Sequence, residues 1–511
     1  MPLQTSSVSV DAVSNSTKIW AFILGPVLAI LVYFLLPDSF VNTAGKVVEF
    51  GHAGKACAAV TTLMAIWWFS EALPIAVTAM LPILLYPLLD IATSVNTMRH
   101  YASGTIFLFL GGFLIAAAIH RWHLDRRIAL VTISLFGTKP KQMIFGLMIS
   151  TAFLSAWVSN SATAAMMVPI AVAVMGVIRS TQTSPEITKD ERNFAVCVLL
   201  SIAYAASIGG MATLVGSPPN GIFARFVEDT YHVQVSFLGW MKVALPVTLL
   251  LLPATYFLLT RFLFPVNMEG IPGGREWIKG ELRKLGPLSR GEKIVLAIFV
   301  LAALLWMFGP VLRGLEINGA RPLKPLSDEL IAMGAGILLF MIPVDAKRGI
   351  HALDWNSAKD VVAWDVLLLF GGGLSMAAAI QSTGVAALIG AQASVFQGVS
   401  DLAFMTGIST VITFVSEVTS NTALAATMMP VVAAASESLN INPEAPLFAM
   451  VIACSCAFMM PVGTPPNAIV FGTGRLKIAD MVKAGIWLNI IAVIIGVGCS
   501  YLLGRGLIPM G

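Results

Sequence analysis

The sequence is short of charge. Of its 511 residues only 11% are charged, whereas 57% are hydrophobic, and the mean hydropathy is +0.85. A soluble domain carries about a quarter charged residues, so this chain lacks the polar surface that a water-facing protein needs. Long apolar runs recur from Ile19 to Leu503, and many of them approach the ~20 residues that cross a bilayer. The sequence therefore predicts an integral membrane protein surrounded by lipid, without a soluble domain.

Other absences argue against whole classes of function. The five cysteines lie in apolar runs without CxxC spacing, which suggests neither a disulfide framework nor a metal site. There is no HExxH, no GxSxG elbow and no pair of intramembrane aspartates, so an intramembrane enzyme is a distant alternative. The formal charge of +4 comes mostly from loops. It indicates membrane orientation and not a nucleic-acid surface.

Apolar runs between polar breaks define the candidate spans. These are 19–36, 56–70, 74–89, 105–120, 194–227, 237–262, 294–312, 328–343, 366–382, 445–475 and 482–503. Two further apolar blocks, 142–178 and 402–437, are interrupted by Ser159-Asn160-Ser161 and by Ser420-Asn421-Thr422. Their arms of about 15–18 residues are short for a tilted span. Each block is therefore predicted to be a hairpin that enters and leaves the membrane by the same face.

Basic residues indicate which side of the membrane is cytoplasmic. They flank the first hairpin and recur in the polar connection 263–293, and the positive-inside rule places both regions in the cytoplasm. Within the connection, the stretch Arg275–Leu285 combines helix formers with mixed charge. It fits a surface helix between two bundles and a solvated linker equally well.

The two halves of the chain carry the same motifs in the same order. TAFLSAWVSNSATAAMMVPI at 151–170 aligns without a gap with ITFVSEVTSNTALAATMMPV at 412–431, an offset of 261 positions. GSPPN at 216–220 aligns with GTPPN at 463–467, an offset of 247 positions. This pattern indicates a duplicated unit. If each unit crosses the membrane an odd number of times, the copies run in opposite directions, as in many secondary transporters whose site lies where broken helices meet.

These motifs supply the groups that an ion site needs. Irregular backbone inside a membrane survives only where protein or a water-filled cavity satisfies it. Hydroxyl and carbonyl oxygens at a hairpin tip suit a hard cation, while amide and backbone N–H groups can donate to a carboxylate. The Pro-Pro pair forbids regular helix, and the glycine before it permits a turn that frees its carbonyl. A helix that resumes after the break directs its positive end towards an anion.

No Lys or Arg occurs in these motifs. A dianion would then be held by neutral donors and helix termini, with bound sodium compensating its charge. Substrate binding would depend on the cation, which is the physical basis of coupling. The duplicated discontinuities also suit a closed midplane site better than a continuous pore, and so favour a carrier over a channel.

At these residues the chain resembles the divalent anion:sodium symporter family, and its bacterial sodium–dicarboxylate members most closely. The resemblance covers essentially the whole chain from Ile19. It rests on WWFSEALPIAVT at 67–78, FLFLGGFLIAAAI at 107–119, EVTSNTA at 417–423 and MMPVGTPPNAIVFGTG at 459–474. It implies a multi-pass homodimer in the bacterial inner membrane, all-α, with about 11 transmembrane helices and two re-entrant hairpins in an inverted repeat.

The resemblance also implies an activity and a domain division. The activity is sodium entry, at two or more sites, coupled to uptake of C4-dicarboxylates such as succinate, fumarate and malate by an elevator-type movement. A sodium-independent di- or tricarboxylate exchanger is the alternative. The implied division is a cytoplasmic tail 1–18, scaffold helices 19–136 and 294–400, transport units 137–262 and 401–511, and a cytoplasmic connection 263–293.

Carried over residue by residue, the resemblance implies two sodium sites and a substrate site. The first sodium site comprises Ser155, Ser159, Asn160 and the Gly216 carbonyl, and the second comprises Ser416, the Thr419 carbonyl, Asn421 and the Gly463 carbonyl. The substrate would contact Asn160, Ser161, Ser420, Asn421 and Thr422, with Ser217, Pro218, Thr464 and Pro465 closing the site. Ser161 stands where the family usually has Thr, which leaves the accepted substrate size open.

One acidic residue lies beside this site without belonging to its symmetry. Glu417 precedes Ser420 by three residues, and its counterpart in the first half is Ala156. Ionisable groups in membrane segments are functional candidates by default. A role in cation binding and a structural hydrogen-bonding role both stay open for Glu417.

Overall fold

The structure, a computed structural model, is almost entirely helical. It describes residues 15–41, 46–137, 139–180, 188–268, 270, 274–317, 320–504 and 506. Most of the predicted tail 1–18 thus lies outside the described residues. The helices of the first half are α1 Asn15–Leu35, α2 His52–Ser70, α3 Ile75–Ala79, α4 Leu81–Leu88, α5 Ser94–Met98, α6 Gly104–Arg121, α7 Leu124–Phe136, α8 Pro140–Ser155, α9 Asn160–Ser180, α10 Lys189–Met211, α11 Pro218–Tyr231 and α12 Phe237–Phe257.

The second half begins with a helix inside the polar connection. Its helices are α13 Gly274–Leu285, α14 Arg290–Gly314, α15 Asp328–Met341, α16 Trp355–Val361, α17 Trp364–Ser382, α18 Val385–Ala393, α19 Asp401–Ser416, α20 Asn421–Ser438, α21 Glu444–Cys454, α22 Pro465–Phe471 and α23 Ile478–Leu503. Of the two alternatives for Arg275–Leu285, the structure therefore has the helix.

Polar capping residues fix where two of the long helices begin. The Thr188 hydroxyl accepts from the Glu191 N–H at 3.2 Å, and the Glu191 carboxylate accepts from the Thr188 N–H at 2.8 Å. Ser289 and Glu292 make the same reciprocal pair of bonds at the start of α14. Each box satisfies N–H groups that the first helical turn leaves free.

Two small β-hairpins, which the sequence pattern did not predict, connect helices. Strand β1 Ser39–Val41 pairs antiparallel with β2 Val47–Glu49, and β3 Pro343–Asp345 pairs with β4 Ile350–His351. With two or three residues a strand they carry too little alternation to be read from the sequence.

Within the described residues, eight helices are long and apolar enough to cross a membrane, or nine if the bent pair of α18 and α19 is one span. The all-helical polytopic architecture is therefore confirmed. Among the described residues, the number of helices that could each cross the membrane alone is smaller than the predicted number of about eleven. Predicted span 74–89 is divided between α3 and α4, and span 328–343 forms a helix of only 14 residues.

One arm of the first hairpin is longer than the sequence predicted. Helix α9 has 21 residues, more than the arms of about 15–18 residues that the sequence predicted. It meets the length criterion of a full span. Helix length therefore does not distinguish a re-entrant arm from a crossing helix here.

The helix boundaries repeat with the sequence motifs. Helices α8 and α19 end at Ser155 and Ser416, and α9 and α20 begin at Asn160 and Asn421, 261 positions apart in each case. The helices that follow the Pro-Pro breaks, α11 and α22, begin 247 positions apart. The duplication seen in the sequence is thus a duplication of helices.

The two halves share a hydrophobic core. One buried cluster combines side chains of α7 to α10, such as Leu147 and Tyr204, with C-terminal side chains: Phe458 of the segment between α21 and α22, and Leu488 of α23. The rings of Tyr204 and Phe458 meet edge to face, 5.2 Å between centroids. This packing sets the first broken helix against the second.

Candidate functional site

The first hairpin turns between α8 and α9. Residues 156–159 separate the end of α8 from the start of α9 at Asn160. The Ser159 hydroxyl accepts a hydrogen bond from the Ala162 N–H at 3.4 Å, so it caps the first turn of α9. The predicted break is present but lies at 156–159, so that Asn160 and Ser161 already belong to α9.

Oxygen atoms converge behind this tip. Ser155 Oγ lies 2.7 Å from Asn160 Oδ1 and donates to the Ala206 carbonyl at 2.6 Å. The same end of the Asn160 amide lies 3.2 Å from the Ala206 carbonyl and 3.3 Å from the Gly216 carbonyl. Asn160 Oδ1 therefore faces other oxygen atoms and no donor except the Ser155 hydroxyl. A bound cation relieves this arrangement, and rotating the amide by 180° relieves it by placing an NH₂ donor there instead.

The structure thus brings together three of the four residues predicted for the first sodium site. Ser155, Asn160 and Gly216 meet in this cluster. The Ser159 hydroxyl is instead engaged in the helix cap. Hydroxyl, amide and carbonyl oxygens are the ligands that a hard cation takes from proteins.

Two glycines at the end of α10 permit this close approach. A Cβ on Gly210 would overlap the Asn160 side chain, and a Cβ on Gly209 would overlap the Ala152 carbonyl. Neither glycine was among the predicted site residues. A Gly-Gly pair directly before a Pro-Pro break was the signal that could have found them.

The first broken helix is irregular over 212–217, between α10 and α11. Asn220 Nδ2 donates to the Gly210 carbonyl at 2.9 Å and to the Thr213 carbonyl at 2.8 Å. The Thr213 hydroxyl donates to the Ala156 carbonyl at the hairpin tip, at 2.5 Å. These bonds satisfy carbonyl groups that the break frees, which burial in a membrane requires.

The second hairpin turns between α19 and α20. Ser420 caps α20, while the hydroxyls of Ser416 and Thr419 donate back to carbonyls of α19 at 2.7 and 2.9 Å. Asn421 Oδ1 is buried and has no hydrogen-bond partner among the described residues. The second predicted sodium set therefore offers an unsatisfied acceptor. In the described part of the chain, no hydrogen bond joins Asn421 to Ser416 or Gly463.

The second broken helix is irregular over 455–464, between α21 and α22. Asn467 Nδ2 donates to the Ala457 carbonyl at 3.1 Å and to the Met460 carbonyl at 2.9 Å. The Thr464 hydroxyl accepts from the Asn467 N–H at 3.4 Å and caps α22. Its counterpart Ser217 makes no side-chain cap bond at the start of α11, so the two Pro-Pro breaks differ in this detail.

Glu417 is the first residue of the second hairpin turn, and its side chain reaches this break. It is only 4% exposed, and its carboxylate accepts from the N–H groups of Phe458, Met459 and Met460 at 2.7 to 3.0 Å. Asn489 Nδ2 of α23 donates to it as well, at 2.7 Å. Of the two roles left open for Glu417, the structure supports the hydrogen-bonding one.

A cavity of about 730 Å³ opens beside the first hairpin tip. Ser159 and Ser161 line it together with Val158, and so do Trp277 and Glu281 of α13. The cavity therefore extends from the tip of the first hairpin to α13.

The charged residues of the cavity lie around α7 and α13. They are His120, Asp125, Arg126, Glu281 and Asp360. The Arg126 guanidinium lies 2.8 Å from the Glu281 carboxylate, so its charge is compensated. The predicted residues at 420–422 and 464–465 are not among the described residues that line this cavity. The structure therefore opens the first hairpin tip to the cavity, and not the second.

The two hairpin turns and the two broken helices, repeated in an all-helical fold, are typical of a polytopic membrane transporter. The crystal structure of the YdaH transporter of Alcanivorax borkumensis matches the fold with a TM-score of 0.59 at 14% identity, covering 97% of this chain and 100% of that chain. At this identity the likeness concerns the fold alone.

The chain belongs to the divalent anion:sodium symporter family. The family model described as the sodium:sulfate symporter transmembrane region matches residues 16–509. The sodium-dependent dicarboxylate transporter SdcS of Staphylococcus saprophyticus is 36% identical over 494 residues, 96% of this chain and 92% of that protein. SdcS of Staphylococcus aureus USA300 is 37% identical over 483 residues, 94% of this chain and 90% of that protein.

This membership confirms the resemblance seen in the motifs. It also confirms that the chain is a multi-pass membrane transporter and not an enzyme.

Proposed function

We propose that this chain couples the entry of sodium to the uptake of C4-dicarboxylates such as succinate, fumarate and malate. Two relatives that carry the name of a sodium-dependent dicarboxylate transporter align with 94% and 96% of it. The observation that carries the proposal is the convergence of Ser155 Oγ and the Ala206 and Gly216 carbonyls on the Asn160 side-chain amide. This set suits a sodium ion when the amide presents its oxygen.

The transported cations would occupy one site in each half. In the first half the ligands are Ser155, Ser159, Asn160 and the Gly216 carbonyl. In the second half they are Ser416, the Thr419 carbonyl, Asn421 and the Gly463 carbonyl. The buried, unpartnered Asn421 Oδ1 supports the second site, because an unsatisfied buried acceptor is costly unless a ligand completes it.

The dicarboxylate would lie between the two hairpin tips. Asn160, Ser161, Ser420, Asn421 and Thr422 would donate to its carboxylates, with Ser217, Pro218, Thr464 and Pro465 closing the site. Helices α9, α11, α20 and α22 all begin at these residues, and helix N-termini favour anions. Because none of these residues is cationic, sodium supplies the positive charge, and this makes dicarboxylate binding depend on it.

The proposed architecture is a homodimer in the bacterial inner membrane, built on an inverted repeat. Each protomer has about eleven membrane passages and two re-entrant hairpins. Scaffold helices 19–136 and 294–400 hold transport units 137–262 and 401–511, which move as an elevator between the two faces. The cavity beside Ser159 and Ser161 fits a transport unit that is open to the cytoplasm.

Uptake of labelled succinate into proteoliposomes tests this function. We expect uptake with external sodium, and background uptake when choline replaces sodium; liposomes without protein provide the control. Equal uptake in choline would contradict the coupling. Uptake that occurs only when the vesicles are preloaded with dicarboxylate, without net current, would establish exchange instead.

A thermal-shift panel tests the substrate class independently of transport. Sodium, lithium and potassium are crossed with succinate, citrate, sulfate and tartrate. We expect the largest stabilisation from sodium and succinate together, since a ligand that binds the folded state stabilises it by RT ln(1 + [L]/Kd). A larger shift with citrate or sulfate would contradict the assignment to C4-dicarboxylates.

A further inference from the structure

The Glu417 carboxylate is saturated with hydrogen-bond donors. Oε1 accepts from the N–H groups of Phe458 and Met459 and from Asn489 Nδ2, and Oε2 accepts from the N–H groups of Met459 and Met460. An ionised carboxylate offers about four acceptor positions. These donors occupy them, so no lone pair is left for a cation.

The donors follow the end of α21, and the first of them has a helical counterpart in the first half. In the first half, α10 remains helical to Met211, whose counterpart at the offset of 247 is Phe458. Helix α21 ends earlier, at Cys454. Glu417 thus takes the place of a helical carbonyl as the acceptor for the Phe458 N–H, and it also accepts from the N–H groups of Met459 and Met460. The second break spans 455–464, whereas the first spans only 212–217.

One position in each break links the hairpin to the rest of the site. The Met460 N–H donates to Glu417, while the Met460 carbonyl accepts from the Gly463 N–H at 3.2 Å and from Asn467 Nδ2 at 2.9 Å. The chain of contacts therefore runs from Glu417 through Met460 to Gly463, whose carbonyl is a proposed cation ligand.

The first half makes the same link with different chemistry. The Thr213 hydroxyl donates to the Ala156 carbonyl at 2.5 Å, and the Thr213 carbonyl accepts from the Gly216 N–H at 3.4 Å and from Asn220 Nδ2 at 2.8 Å. Thr213 and Met460 are repeat counterparts, as are Ala156 and Glu417. A hydroxyl reaching a main-chain carbonyl in one half is thus replaced by a main-chain N–H reaching a carboxylate in the other.

We infer that Glu417 is a positioning residue: it holds the second break open and fixes the Gly463 carbonyl for the cation, without binding the cation itself. The part of this inference that concerns the cation rests on the proposed sodium coupling. The part that concerns the backbone does not, so the two can fail separately.

Hydrogen–deuterium exchange of the purified protein in sodium-free buffer tests the backbone part. In Glu417→Ala the N–H groups of 458–460 lose their acceptor, and we expect exchange over 455–464 to accelerate at least tenfold, with no change over 212–217. Glu316→Ala, which removes an exposed carboxylate, should leave both segments as they are. Unchanged exchange in Glu417→Ala would overturn the inference.

Sodium-dependent succinate uptake tests the cation part. We expect Glu417→Ala to raise the half-saturating sodium concentration about tenfold, the size of effect that one lost buried hydrogen-bond acceptor produces. The succinate KM at saturating sodium should stay within threefold. A weaker sodium affinity without faster exchange over 455–464 would show that the carboxylate binds the cation directly, and would overturn the inference. Faster exchange with unchanged sodium affinity would overturn the cation part of the inference and bear out its backbone part.

The first half supplies a rescue variant. The Glu417 carbonyl lies beside Gly463 as the Ala156 carbonyl lies beside Gly216, 3.2 and 3.0 Å from a Cβ built on each glycine. Glu417→Ala combined with Met460→Thr therefore transplants the hydroxyl link. We expect it to recover at least half of the lost sodium affinity; recovery of neither affinity nor slow exchange would contradict the equivalence of the two links.

If Glu417→Ala does not fold, Glu417→Gln keeps one acceptor oxygen and should give smaller changes in the same direction.

Discussion

Asn220 and Asn467 make equivalent hydrogen bonds in the two halves of the protein. Each side-chain amide donates to the carbonyls ten and seven positions before it, at 2.9 and 2.8 Å in the first half and at 3.1 and 2.9 Å in the second. The asparagine that ends each Pro-Pro motif therefore holds the irregular backbone that precedes it. The duplication extends beyond sequence to the bonds that stabilise each break.

Replacing either asparagine removes both donors at once. We expect Asn220→Leu and Asn467→Leu each to lower the free energy of unfolding by about 2–4 kcal/mol, roughly 1–2 for each buried carbonyl left unsatisfied, and to reduce uptake. Thermal unfolding in detergent and succinate uptake measure the two effects. Asn356→Leu, on the exposed surface of α16, is the matched control, and equal midpoints for all three variants would contradict the bracing role.

The Gly-Gly end of α10 gives a second prediction. A Cβ on Gly210 overlaps the Asn160 side chain, so Gly210→Ala should displace Asn160 from the oxygen cluster and abolish sodium-dependent stabilisation. Gly407→Ala has open space around the added Cβ in the middle of α19, and it should stabilise by up to about 1 kcal/mol because alanine is the better helix former. Thermal shifts with and without sodium distinguish the two variants. A normal sodium response in Gly210→Ala would rule out the close packing described here.

The connection between α7 and α14 gives a third prediction. Arg127 Nε lies 2.5 Å from Glu292, and its other nitrogens donate to the carbonyls of Leu285 and Gly286. The Glu292 side chain is 6% exposed. Arg127→Ala leaves this carboxylate buried and unpaired, and we expect a loss of about 3–5 kcal/mol.

Lysine should rescue Arg127 poorly, because it cannot reproduce a fork of donors to three acceptors. The control is Arg348→Ala, whose side chain is 79% exposed and lies 3.7 Å from Asp345; we expect a change of about 0–1 kcal/mol. Detergent-solubilised thermal unfolding compares the three variants. Similar losses for Arg127→Ala and Arg348→Ala would contradict the structural role of Arg127.

The positions of the helix breaks at the candidate site could be predicted, because the residues that interrupt a helix in a membrane are identifiable in the sequence. A hairpin tip in a membrane needs polar side chains, and a Pro-Pro pair is tolerated in a helix only within its first turn. The helices therefore resume at Asn160 and Asn421 and, after the breaks, at Pro218 and Pro465, where the motifs predicted a break.

The features that the sequence did not reveal depend on backbone groups and on close approach. The partners of Glu417 are main-chain N–H groups of 458–460. Because every residue except proline provides such a group, no sequence motif predicts these contacts. The function of Gly210 becomes visible only when Asn160 is packed against it. The short helix α7 was not among the predicted spans, and the acidic partners of its arginines at 126 and 127 lie more than 150 positions away in the chain.

The central claim is that both halves contribute an essential asparagine to one sodium-coupled dicarboxylate site. Its most direct test is sodium-driven succinate uptake by proteoliposomes containing the wild type, Asn160→Ala or Asn421→Ala. The account predicts sodium-dependent uptake for the wild type and background uptake for both variants, with all three proteins folded by size-exclusion chromatography and thermal unfolding. Normal uptake by either variant would contradict it.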